Sequence, residues 1–220
     1  MKAVLITISL FVFLFFNGIE NFLFAQEKTV QYTKDFEFKN GIYVSFSDFK
    51  KNNPINTAKI ISDYNKTSRD FFTQLLSKSP FSYTDSLGKE QSQKSSDIWG
   101  YCQNGTVYVN HGTDFNRVTI IGSIFHFVAS VQRPIGVSDP FMNNDPFYNS
   151  QHLVYSTEQF VLDFETGKIL DFNVQTMEAL LSRDAELSKE FAALKKKQKR
   201  DGIFIYLRKY NEKHPIYFPE

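Results

Sequence analysis

The chain of 220 residues has one cysteine, one tryptophan, four histidines and a net charge of only +1. A lone cysteine cannot close an internal disulfide, so stability has to come from packing. The histidines stand far apart, and none falls in an H-x-x-x-H or H-E-x-x-H pattern, so no metal is expected. Near-neutral charge removes the electrostatic reason to expect nucleic acid. Walker loops, G-x-S-x-G elbows and Rossmann glycine patterns are all missing. No cofactor is expected and no catalytic residue can be assigned. No domain linker and no repeat beyond a twice-used Asp-Pro-Phe interrupts the chain.

What is present begins with an apolar start. Lys2 precedes an almost unbroken run from Ala3 to Phe16, short for a membrane span but suited to the core of a secretory signal peptide. Ala25 is the small residue before the expected cut, so residues 1–25 are read as signal and 26–220 as one mature domain. Cleavage would leave no membrane span; the alternative is an uncleaved segment that holds the protein in the inner membrane. Export, to the periplasm or beyond, is the expectation. A hydrophobic share of 42%, with 16% aromatic, implies a folded globule.

Weak alternation over 27–40 reads as an edge strand that Gly41 breaks. Ser45 and Asp48 form a capping-box pattern for a short helix closed by Pro54. Ile61, Tyr64, Phe71, Phe72, Leu75 and Leu76 fit helical spacing. Residues 81–131 read as sheet, with the run from Arg117 to Val131 a central strand, or two strands meeting at Gly122. Pro134 to Gln151 reads as a loop; Asp139, Asn143, Asn144 and Asp145 are ordinary turn chemistry there rather than a calcium site. A hairpin turns at Thr166-Gly167, and helical stripes follow: Met177, Leu180, Leu181; Leu187, Phe191, Leu194; Ile203, Phe204, Tyr206, Leu207, Tyr210. The basic stretch Lys195–Arg200 reads as the solvated C-terminal end of a helix whose early turns carry Asp184, Glu186 and Glu190. The last residues lie extended. The fold class is α+β: a central, mainly antiparallel sheet with short N-terminal helices and C-terminal helices.

The densest local signal is "IWGYCQNGTVYVNH", residues 98–111. Asn104-Gly105 predicts a type I′ turn and fixes the pairing Gln103 with Thr106, Cys102 with Val107, Tyr101 with Tyr108, and Trp99 with Asn110. Alternation puts Ile98, Cys102, Val107, Val109 and His111 on one face. The other carries Trp99, Tyr101, Gln103, Thr106, Tyr108 and Asn110. On this pairing Cys102 and His111 stand roughly 13 Å apart, too far for a nucleophile and its base. The aromatic face has two readings. Trp99, Tyr101, Gln103, Tyr108 and Asn110 form a binding surface for a glycan, peptide or envelope protein, or the face packs under the C-terminal helices.

"DIWGYCQNGTVYVN", "LDFETGKILDFN" and "YNEKHPIYFP" together resemble a family of uncharacterised secreted proteins from Gram-negative bacteria, from about Gly41 to the C-terminus. The resemblance implies export and one continuous domain, and assigns no functional residue. The expected function is that of an exported binding or interaction module at the cell envelope. Two alternatives stand beside it: a periplasmic hydrolase using His126 or His152 with an acid from the 159–172 hairpin, and a structural subunit of an envelope assembly.

Overall fold

The computed structural model describes residues 28–134 and 153–219. The expected signal segment, most of the expected loop at 134–151, and His152 lie outside the described residues. The chain opens with β1 (Thr29–Gln31), β2 (Gly41–Tyr43), α1 (Phe46–Lys50), β3 (Ile55–Asn56) and β4 (Ile60–Ile61). Next come α2 (Phe71–Ser77), β5 (Phe81–Thr84), β6 (Glu90–Gln93), β7 (Gly100–Gln103), β8 (Thr106–His111) and β9 (Asp114–Ile120). The last part contains β10 (Ile124–Pro134), β11 (Leu153–Asp163), β12 (Ile169–Asp171), α3 (Val174–Leu181), α4 (Ala185–Ala192), α5 (Lys196–Lys213) and β13 (Tyr217–Pro219). Eight strands form one antiparallel sheet in the order β12-β11-β10-β9-β8-β7-β2-β3, which matches the expected α+β class. Two small sheets, β1-β13 and β4-β5-β6, flank it. Among the described residues no helix is long and apolar enough to cross a membrane.

Three apolar clusters cover the sheet. One face carries Tyr43, Cys102, Val107, Val109, Phe125, Phe127, Phe160 and Leu162, closed by Phe38, Phe49 and Phe218. On the opposite face Ile124 and Val161 pack under α3, α4 and α5 through Leu181, Phe191 and Leu207. Farther along that face, Ile42, Ile98 and Tyr101 pack under Phe71, Phe72 and Leu75 of α2 and under Phe81. Burying a side chain of this size contributes about 1.5–3 kcal/mol, so these clusters supply the stability that no disulfide gives.

Several local expectations change. Among the described residues of 27–40 the only strand is Thr29–Gln31, and it pairs with β13 rather than with the central sheet. Gly41 starts a strand instead of ending one: at φ 145° its backbone lies so near Ile55 that a Cβ would stand 2.2 Å from the Ile55 carbonyl oxygen. The helical spacing over 61–76 yields helix only from Phe71, because Ile60–Ile61 pairs with Ser82 and Tyr83. The chain does break around Gly122, giving β9 and β10. The basic stretch sits at the start of α5 and not at the end of α4. The helix stops at Ala192, and the Lys195 backbone N–H donates to Gln198 Oε1 (2.9 Å), which opens a new helix with the lysines in its first turn.

Candidate functional site

The 100–111 hairpin has the expected turn and register. Asn104 and Gly105 both take positive φ (50° and 73°), and Tyr101 pairs with Tyr108, Cys102 with Val107. Tyr101 and Tyr108 stack with centroids 4.7 Å apart, and Phe72 of α2 covers the Tyr101 ring at 4.8 Å. Burial pushes the Tyr101 hydroxyl up to about 12. Gln103 donates from Nε2 to the Ser68 carbonyl (2.8 Å), and Asn110 donates from Nδ2 to the carbonyls of Ser96 and Ile98. The cover on this face is α2 with the β4-β5-β6 sheet, not the C-terminal helices.

Trp99 does not join that face. Its ring stacks on Phe49 at 4.3 Å and touches Phe46 and Tyr43, on the Cys102 side of the sheet, while Ile98 packs with Tyr101. Both residues have therefore exchanged faces relative to strict alternation. The slip occurs at Gly100, where the Trp99 N–H is shared between the carbonyls of Tyr43 and Val44. Glycine lets the strand take an irregular step that a side chain would block; a Cβ at 100 would meet the Tyr108 carbonyl oxygen at 2.1 Å.

The reactive side chains are dispersed. Cys102 is fully buried, and burial raises its thiol to about 12, so it behaves as a small hydrophobe. His126 is 5% exposed; Nδ1 meets Thr119 Oγ1 (2.8 Å), Nε2 meets Gln159 Oε1 (3.0 Å), and Phe172 and Phe204 flank the ring. Its hydrogen-bond partner in the 159–172 hairpin is thus an amide, not the acid that the hydrolase alternative needs. His214 holds Asp184 through Nε2 (2.8 Å), and Lys213 joins them, but the nearby Ser123 hydroxyl donates to the His214 backbone carbonyl rather than to its imidazole. His111 lies edge-on to Phe160. Among the described residues no group of His, Cys, Asp and Glu could hold a metal.

A different region stands out by exposure. Beyond Phe127 the paired strands β10 and β11 run on past β9, which pairs only with His126 and Phe127, and past β12, which pairs only with Phe160 to Leu162. The turn before β9 still holds the Ser130 carbonyl through the Thr113 N–H (3.2 Å), and Ala129 and Val131 stay buried in the first cluster, so the pair becomes a two-stranded arm only past Val131. Val128, Leu153, Val154, Tyr155 and Leu170 are all exposed on or beside it, with Tyr155 at 67%. Register places Val128, Leu153, Tyr155 and Leu170 on one face, the face that the helices cover only as far as His126 and Val161. On the other side, Arg133 grips Glu158 through two bonds (3.0 and 2.6 Å), which holds the Glu158 carboxyl down to about 2. A hollow of about 430 Å³ there is lined by His111, Val131, Arg133, Phe160, Ile169 and Asp171. Burial lowers the His111 imidazole below its ordinary value. None of these arm residues was singled out by spacing; the available signal was the β-prone run Leu153–Thr157 just before the hairpin pattern.

The model of a family of unknown function, DUF6563, matches residues 41–214. No curated protein and no solved structure matches the chain.

Proposed function

The chain belongs to that family, whose function is unknown, so its role has to be argued from its own surface, and we propose that it is an exported interaction module of the cell envelope. Its contact surface is the β10–β11 arm. The observation that carries this reading is the grouping of exposed Val128, Leu153, Tyr155 and Leu170 on one face of the sheet, beyond the part that the helices cover. On that face the polar pair Ser130–Thr157 lies between Val128 and Tyr155, and exposed apolar groups gathered along one strand pair mark contact sites more often than singly scattered ones do. The hairpin residues Tyr101, Gln103, Tyr108 and Asn110 instead hold the segment before α2 and the 96–98 turn against β7 and β8, through the stacked tyrosines and the bonds to 68, 96 and 98. Export rests on the apolar leader with Ala25 before the cut.

The test is a photoreactive residue placed in turn at Tyr155, Leu170 and Leu87 in intact cells; Leu87 is 90% exposed and lies in the β5–β6 turn. Adducts from 155 and 170 but not 87, in a chain beginning at Gln26 in the envelope fraction, are the expected result. Equal labelling from all three positions, or none, would overturn the arm as the contact surface.

A further inference from the structure

Resting on that reading, we propose that the occupant of the arm is a second copy of the same chain, joined edge to edge along β11 in a two-fold antiparallel pairing centred on Tyr155. The backbone fixes which groups are available. Gln159 accepts from Phe172 N–H, and Asp163 N–H donates to Lys168, so odd-numbered residues of β11 turn their peptide groups away from β10. Among the described residues no strand pairs with that outer edge from 153 to 158. Leu153, Tyr155 and Thr157 therefore present outward N–H and C=O groups in the phase a second antiparallel strand needs.

Register follows from what already occupies the edge. Centring on Tyr155 sets Leu153 of one copy opposite Thr157 of the other and Tyr155 opposite its own counterpart, with each such pair exchanging both N–H···O bonds. A shift to Ser156 would bring Leu153 of the second copy against Gln159, whose outward carbonyl is already bonded to Phe172. The Tyr155 hydroxyl accepts from Gln132 Nε2 on β10 (2.7 Å), which tethers the ring to the β10 side of the face and leaves the outer backbone of Tyr155 clear for a second strand.

Charge favours a like partner. The only charged residue along 153–158 is Glu158, and it is neutralised by Arg133 of its own chain, so two identical edges meet without repulsion. A net charge of +1 adds little long-range opposition. The edge also lacks the lysines, prolines and bulges that usually block strand addition. The contact is small beside the ~800 Å² per partner of a standard interface, so the dimer is weak and reversible.

Sedimentation velocity of the purified protein over a loading series, with Tyr155→Lys and Thr157→Pro as variants, tests this. Lysine sets two like charges face to face across the dyad, and proline removes an outward N–H. The expected result is a concentration-dependent monomer–dimer equilibrium, weakened at least tenfold by Tyr155→Lys and abolished by Thr157→Pro. Circular dichroism and thermal melting of Tyr155→Lys should match the wild type, which separates lost contact from lost fold. A protein monomeric at every loading would overturn the second copy while leaving the arm free to bind another partner. A dimer indifferent to both variants would place the interface elsewhere and overturn the proposal too.

Discussion

Single residues in this protein take their roles from burial more than from chemical type. Trp99 belongs with Phe49, Phe46 and Tyr43, so its emission should be blue-shifted and resist iodide, and Trp99→Ala should cost about 3 kcal/mol in urea unfolding. A red-shifted, readily quenched signal would put the ring outside that cluster. His126 gives a pH signature. Burial lowers its folded pKa, opposed only in part by Gln159, so the folded state holds it neutral while the unfolded chain takes up a proton near the ordinary ~6.5. Stability is then complete above that value and declines as pH falls through it. His111 is shifted in the same direction by burial and adds to the decline. Urea midpoints measured from pH 8 to 5 should fall, and His126→Gln should reduce the slope; an unchanged slope would assign the effect to other groups.

At the level of elements, legibility followed how local the determining interaction was. The Asn104-Gly105 turn, the Ser45/Asp48 capping box and the hairpin at Thr166-Gly167 depend on residues a few positions apart, and all three were readable. The faces of Ile98 and Trp99 were not, because the slip at Gly100 depends on Tyr43 and Val44 carbonyls from a strand far back in sequence. The bulge between β9 and β10 is of the same kind: Val118 pairs with Phe127 but Ile120 with His126, so two apolar residues of like spacing enter opposite clusters. The start of α5 is hidden in the sequence because a run of good helix formers spans the break at Ala193–Lys195, where only the Gln198 cap marks the new helix. That placement sets lysines against the positive end of the helix dipole. Lys197→Glu, at an exposed first-turn position, should therefore raise stability by about 0.3–1 kcal/mol, read from the urea midpoint at low salt. A fall would mean that the lysine makes contacts that outweigh the dipole.

For the whole molecule, the class of fold was visible in the order of patterns, sheet in the middle and helices at the end, whereas the contact surface was not. The aromatic hairpin is conspicuous in the sequence because tryptophan, tyrosine and amide groups crowd into a short stretch. Its face lies largely under α2 and the β4-β5-β6 sheet, since Phe72 and Phe81 need apolar partners as much as any ligand would. Exposure of the arm depends on where three helices stop covering β10 and β11, a distance no sequence window reports. Hydrogen exchange of the arm is the most direct measurement: the outward amides of Leu153, Tyr155 and Thr157, compared between dilute purified protein and protein in its envelope fraction. Slowed exchange at these positions in the envelope fraction, with the β5–β6 turn around Leu87 unchanged, is the predicted result. Equal exchange in both states, or protection confined to other surfaces, would contradict the arm as the contact surface.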